Sequence, residues 1–139
     1  MDPNVRRQIL LDNYQHPAGH GLTDDSSYIK INTNNESCID NLDIMYKIKD
    51  GRIEDICFDG EACAISTSAT SIMIQKLIGK NKEEAQAILD NYEAMLDERE
   101  YDKELLEELN AYDEIYKQPN RKKCALLPFE SLRKIINKL

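Results

Sequence analysis

The chain has 139 residues, a formal net charge of −8 and no tryptophan, a length that fits a single domain over residues 1–139 with a core that needs no disulfides. So acidic a chain is repelled by phosphate backbones and anionic lipid, and no apolar run approaches the roughly 20 residues that span a bilayer. We therefore expect a cytoplasmic protein that binds neither nucleic acid nor membrane, because the basic stretch at 121–123 is short.

The first predicted element is a helix that begins at Pro3, with Asp2 as its cap. Proline is tolerated at the first helical position because its missing N–H would have no partner there. Such a start is that of an ordinary helix and not of a signal peptide. The loop after this helix contains His16 and His20, which we interpret as solvated residues or a helix C-terminal charge. The apolar side of the helix is formed by Val5, Ile9 and Tyr14.

Three strands are predicted next, over 28–32, 42–49 and 52–58, where apolar and polar residues alternate. The Asp-Gly pair at 50–51 is a two-residue hairpin signal, so the strands form an antiparallel meander. Cys57 lies inside the third strand, and we interpret it as a packed small side chain. Because antiparallel partners run in opposite directions, the start of the second strand lies beside the end of the third.

Cys63 follows the third strand at the predicted start of a helix. The free amides and the positive end of the helix dipole stabilise a thiolate there, which makes this cysteine a candidate metal ligand or reactive sulfur. Cys38 and Asp40 precede the second strand, so the sheet can bring them to the same end as Cys63. The helix itself is rich in serine and threonine, which suits either close packing on the sheet or a solvated face.

Three further helices are predicted. The first begins at Asn81, with Glu84 in the capping-box position, and the second covers 101–116. Because proline is tolerated only in the first turn of a helix, Pro128 places the start of the last one close to Cys124. Cys124 would then occupy the same kind of position as Cys63.

Three thiolates and one carboxylate form a candidate tetrahedral metal site. Disulfides are not expected in a reducing cytosol, so metal binding, redox chemistry and plain burial are the open interpretations. The spacing contains no C-x-x-C pair, and buried cysteines acting as small apolar residues stay the alternative. The candidate ligands are Cys38, Asp40, Cys63 and Cys124.

Four segments of the sequence, 10–17, 34–40, 60–66 and 121–125, resemble the IscU/SufU/NifU N-terminal family of iron–sulfur cluster assembly proteins. The resemblance covers nearly the whole chain, and the Cys-Ala-Ile-Ser segment is specific to the family. It implies an α+β fold, with a three-stranded antiparallel sheet on which an N-terminal helix and several C-terminal helices pack. It also implies that the three cysteines and Asp40 bind Zn²⁺, or a transient iron–sulfur cluster, at an exposed corner.

Two features indicate the SufU-like branch, which resembles a zinc-dependent sulfur acceptor. Scaffold-type members typically carry histidine immediately before the third cysteine, where this chain has Lys123. The segment between the second and third cysteines is also long. Ile39 and Ala62 stand where the family usually has glycine, so the loops at the site differ from the family pattern.

The resemblance implies that the protein accepts persulfide sulfur from a pyridoxal-phosphate (PLP)-dependent cysteine desulfurase and passes it to downstream cluster assembly or apo-acceptor proteins. We expect Cys38, in a polar loop, to be the acceptor and Arg121 to steady Asp40 or an anionic intermediate. One alternative is a scaffold, not an enzyme, on which a [2Fe-2S] cluster is built. A second is a structural zinc domain without catalysis.

Overall fold

A computed structural model describes residues 1–35 and 39–139 of the chain. Its helices and strands follow one another in the order helix, three strands, then helices. They are α1 (Pro3–Gln15), β1 (Tyr28–Asn34), β2 (Asn41–Lys49), β3 (Arg52–Glu61), α2 (Ala64–Leu77), α3 (Lys82–Leu96), α4 (Lys103–Leu106) and α5 (Pro119–Ile135), with 3-10 turns at Glu107–Tyr112, Ile115–Lys117 and Ile136–Lys138.

The three strands form one antiparallel sheet in the order β1-β2-β3, which confirms the predicted α+β architecture. Asp50 and Gly51 connect β2 and β3 with φ values of 55° and 73°, the left-handed conformation that a tight hairpin requires. At the other end of the pair, Asn41 lies opposite Glu61. The residues before β2 and after β3 therefore meet at one edge of the sheet, as the antiparallel argument predicts.

Helix α2 is the central helix of the molecule and packs against both α1 and α5. Four of its five hydroxyl side chains are buried and Thr67 is half-buried, which favours the close-packing interpretation over a solvated face. Small side chains let neighbouring backbones approach, and each buried hydroxyl needs a partner inside the protein. The buried hydroxyl residues of α2 are Ser66, Ser68, Thr70 and Ser71.

The predicted start of α1 is confirmed, but its predicted apolar side is wrong in part. Asp2 accepts hydrogen bonds from the first amides of the helix, and Pro3 is the first helical residue. Val5 and Tyr14 are 52% and 48% exposed, and the residue that α1 buries is Asn13. Asn13 can be buried because its side-chain oxygen, Oδ1, accepts hydrogen bonds from the side chains of Ser71 and Gln75.

The predicted helix over 101–116 is wrong as a continuous element. Helix α4 stops at Leu106 because Glu107 adopts a φ of 48°, which no right-handed helix contains. The side-chain amide of Asn110 then donates to the carbonyls of Lys103 and Glu107. A side chain that satisfies backbone carbonyls in this way competes with helical hydrogen bonding, and two 3-10 turns replace the helix.

The predicted start of the last helix near Cys124 is also wrong. Helix α5 begins at Pro119, so Cys124 lies in its second turn and Pro128 lies inside it. An interior proline removes the hydrogen bond to the carbonyl four residues earlier, which is that of Cys124. The hydroxyl of Ser66 lies within hydrogen-bonding distance of this carbonyl oxygen, at 3.0 Å.

Candidate metal centre

Three of the four predicted ligands converge at the edge where β2 begins and β3 ends. One donor atom from each of Asp40, Cys63 and Cys124 lies within 4.8 Å of the other two, and no second group of this kind occurs among residues 1–35 and 39–139. The fourth predicted ligand, Cys38, lies outside the described residues. The three donors come from three separate parts of the chain, so the fold itself assembles the cluster.

Cys63 is the N-cap of α2, as predicted. Its backbone is extended, with φ −69° and ψ 170°, and its sulfur accepts a 3.5 Å hydrogen bond from the amide of Ser66. The sulfur therefore faces the free amides at the positive end of the helix, where negative charge is stabilised.

Asp40 is 1% exposed, and its carboxylate is held by two donors. Oδ1 accepts a 2.7 Å hydrogen bond from the amide of Cys63, and Oδ2 accepts a 2.5 Å hydrogen bond from the hydroxyl of Ser66. The Sγ of Cys63 lies 3.7 Å from Oδ2. A carboxylate fixed at both oxygens keeps its orientation, which a metal ligand requires.

Cys124 is 2% exposed, on the face of α5 that meets α2. Burial raises the pKa of its thiol, and the neighbouring Cys63 and Asp40 raise it further. Without a cation, burial and the neighbouring groups therefore favour the neutral thiol of Cys124 over the thiolate. Two sulfurs and one carboxylate oxygen match the donors that zinc takes in tetrahedral sites, so the residues present fit the predicted ion.

Ser66 is the site residue that sequence reasoning missed. It is fully buried and contacts all three donors or their backbone. The only signal in the sequence is its place three residues after Cys63, the position whose amide an N-cap side chain meets. That its hydroxyl reaches two other segments depends on tertiary packing.

Arg121 is exposed, three residues before Cys124 on α5. Within the described residues its side chain has no recorded hydrogen bond or ion pair, and its contact with Asp40 stays a prediction. Its neighbour Lys122 is engaged elsewhere, in an ion pair with Asp97.

The remaining cysteine and the two histidines lie apart from the cluster. Cys57 is half-buried in β3 between the core residues Ile56 and Phe58, so it projects to the other face of the sheet. Burial raises the pKa of its thiol, which disfavours a reactive thiolate. His16 follows the last turn of α1, and the Nε2 of His20 lies 3.3 Å from a carboxylate oxygen of Asp59.

None of the helices in the described part of the chain is long and apolar enough to cross a membrane.

Comparisons with known proteins point to one family. The sequence-family model of the NifU-like N terminal domain matches residues 5–125 of this chain. The zinc-dependent sulfurtransferase SufU of Bacillus subtilis (strain 168) is 34% identical over 133 residues, which cover 95% of this chain and 89% of that protein. The iron-sulfur cluster assembly scaffold protein IscU of Streptococcus pyogenes serotype M1 is 33% identical over 131 residues, which cover 94% of this chain and 81% of that protein.

Solved structures agree. A putative iron-sulfur cluster assembly scaffold protein for the SUF system from Fervidobacterium islandicum AW-1 superposes with a TM-score of 0.84 at 29% identity, covering 93% of this chain and 94% of that chain. The N-terminal NifU-like protein from Brucella abortus gives a TM-score of 0.80 at 19% identity over 94% of this chain and 91% of that one, a likeness of fold alone.

Proposed function

Because the chain belongs to the NifU-like N-terminal domain family, we propose that it serves iron–sulfur cluster assembly as a zinc-dependent sulfur acceptor. Zinc would be held by Asp40, Cys63 and Cys124 together with Cys38, and Cys38 would accept sulfur from a PLP-dependent cysteine desulfurase. The observation that carries the proposal is the convergence of one carboxylate and two thiols within 4.8 Å.

The donor set explains why a metal suits this chemistry. A bound Zn²⁺ supplies deprotonation, since a coordinating thiol loses its proton outright. Three thiolates and one carboxylate would leave the site with a net negative charge, which favours exchange of one ligand. The deep burial of Cys124 and Asp40 makes those two ligands poor candidates for leaving.

Cys38 suits the role of the exchanging ligand for two reasons. It precedes Asp40 by two residues, and two residues of chain span at most about 7 Å, so chain length allows it to join the same ion as Asp40. The other two sulfurs are held in place by helices, because Cys63 caps α2 and Cys124 is buried within α5. Arg121 remains a candidate to steady an anionic intermediate from the exposed side of α5.

The transfer is a thiol–persulfide exchange that needs no added oxidant or reductant. The thiolate of Cys38 attacks the terminal sulfur of a persulfide on the desulfurase, a new S–S bond forms on Cys38, and the old S–S bond breaks. The desulfurase cysteine leaves as a thiolate. The persulfide on Cys38 then passes its sulfur to downstream cluster assembly or apo-acceptor proteins.

Metal analysis followed by desulfurase turnover tests the proposal. We expect about one zinc per chain and faster cysteine turnover by the desulfurase when the protein is added. Cys38→Ala should abolish the stimulation, whereas the matched variant Cys57→Ala should keep both zinc and stimulation, because Cys57 lies outside the cluster.

Two other results would redirect the assignment. A stable coloured [2Fe-2S] cluster formed from iron and sulfide, without stimulation of the desulfurase, would favour the scaffold function for which the Streptococcus pyogenes relative is named. Tight zinc binding with no effect on any desulfurase would favour a structural zinc domain.

A further inference from the structure

Ser66 contacts every described member of the cluster, from a position with no solvent exposure. Its hydroxyl lies 2.5 Å from Oδ2 of Asp40 and 3.0 Å from the carbonyl oxygen of Cys124. Its backbone amide donates to the sulfur of Cys63 at 3.5 Å, and its hydroxyl lies 3.6 Å from the same sulfur. One side chain therefore joins the start of α2, the segment before β2 and the middle of α5.

The other hydroxyls of α2 provide a direct comparison. Ser68 donates to the carbonyl of Ile65 and Thr70 donates to the carbonyl of Ser66, which are local bonds within the helix. Local bonding of this kind is the usual behaviour of serine and threonine inside helices. Ser68 also bonds Tyr112, and Ser71 donates to Asn13, but the long-range contacts of the Ser66 hydroxyl are with the cluster residues Asp40 and Cys124.

Pro128 creates the acceptor on α5. In an uninterrupted helix the amide of residue 128 would bond the carbonyl of Cys124, but proline has no amide hydrogen. A partner from elsewhere in the fold can take the place of this helical bond. The single hydroxyl hydrogen of Ser66 is shared between Oδ2 of Asp40 at 2.5 Å and the Cys124 carbonyl at 3.0 Å, so Ser66 also contacts the turn of α5 that carries the Cys124 thiol.

We propose that Ser66 is a positioning residue that fixes the orientation of the Asp40 carboxylate relative to Cys63 and Cys124. This inference rests on the proposed zinc-dependent function. Removing a side chain that hydrogen-bonds a ligating carboxylate typically lowers metal affinity by about 10- to 100-fold. Ser66 thus keeps three ligands in place while the fourth, Cys38, exchanges.

The test compares Ser66→Ala with Ser68→Ala, which removes an equally buried hydroxyl from the same helix but leaves the Asp40 contact intact. Zinc affinity is measured by chelator competition, and Co²⁺ is added separately, because its thiolate charge-transfer absorbance reports ligand geometry. We expect Ser66→Ala to bind zinc about 10- to 100-fold more weakly and to shift the Co²⁺ spectrum. Ser68→Ala should match the wild-type chain in both measurements.

A double-mutant cycle with Asp40→Ala shows whether Ser66 acts through the carboxylate. Ser66→Ala should have almost no effect on zinc affinity when Asp40 is already absent. The comparison of Asp40→Ala with the double variant also decides the question if Ser66→Ala alone fails to fold, since removing both partners leaves no buried carboxylate unpaired.

The outcomes separate the two proposals. If the wild-type chain and Ser68→Ala bind zinc tightly and Ser66→Ala binds it equally well, the positioning role is wrong and the zinc site stands. A tenfold loss from Ser66→Ala in the Asp40→Ala background would also overturn the positioning of Asp40. If the wild-type chain binds no zinc, the proposed function itself is wrong.

Discussion

At the scale of single residues, Cys63 has two functions that chemistry can separate. Its side chain caps α2 by accepting a hydrogen bond from the amide of Ser66, and its sulfur is a candidate metal ligand. Serine is a strong N-cap but lacks the thiolate that zinc prefers. Alanine has neither property, so the two substitutions affect folding and metal binding differently.

We expect Cys63→Ser to fold at least as stably as the wild-type chain in the absence of metal, and Cys63→Ala to lose about 1 kcal/mol. Both variants should bind zinc much more weakly. Urea unfolding in the presence of a chelator measures the first effect, and chelator competition measures the second. Equal metal-free stability of Cys63→Ala and the wild-type chain would show that the sulfur does not act as a cap.

Tyr28 provides a pH-dependent prediction at the same scale. Its hydroxyl donates to a carboxylate oxygen of Asp55, which favours the neutral phenol and raises the pKa of Tyr28 to about 12. The stabilisation from this bond is complete below pH 10, the ordinary value, and is lost as the pH rises through about 12. Ring-carbon NMR should show the Tyr28 titration shifted towards its ordinary value in Asp55→Asn.

At the scale of elements, the close approach of β3 to β2 at Gly60 places Cys63 beside Asp40. Gly60 has a φ of 138°, and a Cβ there would lie 2.2 Å from the carbonyl oxygen of Asn41. Asn41 directly follows Asp40, so a side chain at position 60 would push the two candidate ligands apart. Backbone atoms cannot rotate away as a flexible side chain can.

We expect Gly60→Ala to destabilise the protein by about 2–3 kcal/mol and to weaken zinc binding. Gly21→Ala is the matched control, because Gly21 also has a positive φ, 111°, but has open space around it. It should cost less stability and leave zinc affinity unchanged. Urea unfolding midpoints and chelator competition on both variants give the comparison, and equal zinc affinity in Gly60→Ala would contradict the argument.

Helix α5 is an exception to the rule that proline is excluded from the interior of a helix. Pro128 is a poor interior helix residue, and a sequence argument therefore ends or starts a helix near it. In the structure the helix continues through Pro128, and the hydroxyl of Ser66, 58 positions before Cys124, lies 3.0 Å from the Cys124 carbonyl oxygen. The true start at Pro119 obeys the same preference for proline in the first turn.

At the scale of the whole molecule, side-chain contacts join the 3-10 segment before α5 to α1 and α2. The guanidinium of Arg6 in α1 pairs with Asp113 at 2.6 Å, and Lys76 in α2 pairs with Glu107. Tyr112 bonds Ser68 of α2 at 2.6 Å. These contacts hold the 3-10 segment before α5 against α1 and against α2, the helix that Cys63 caps.

The candidate zinc ligands Asp40, Cys63 and Cys124 come from the residue before β2, the start of α2 and the second turn of α5. Bound zinc should therefore stabilise the whole fold. A ligand that binds only the folded state at 100 times its dissociation constant adds about 2.7 kcal/mol. We expect zinc to raise Tm by several degrees and a chelator to reverse the effect, as measured by differential scanning calorimetry.

Cys57→Ala should keep the zinc-dependent rise in Tm, and Cys124→Ala should lose it. A rise that persists in Cys124→Ala would place the bound metal elsewhere in the protein. The experiment therefore checks the identity of the ligands through stability alone, independently of any partner enzyme.

The sequence by itself determined the elements whose signals are local. Asp2 with Pro3, the Asp-Gly hairpin, and Asn81 with Glu84 each specify a cap or turn through nearby backbone groups, and each is present. Antiparallel pairing then required Asp40 and Cys63 to meet, because strand direction follows from the hairpin. The resemblance of the cysteine segments to a known family added the expected chemistry.

Only the tertiary structure decided the features that depend on distant partners. Asn13 can be buried because the side chains of Ser71 and Gln75 donate hydrogen bonds to it. The helix expected over 101–116 breaks where the side-chain amide of Asn110 donates to backbone carbonyls. Cys124 reaches the cluster from the second turn of α5, where its carbonyl meets the hydroxyl of Ser66. Propensity rules weigh each residue against its neighbours in sequence, whereas a buried polar group takes its partner from whatever the fold brings within hydrogen-bonding distance.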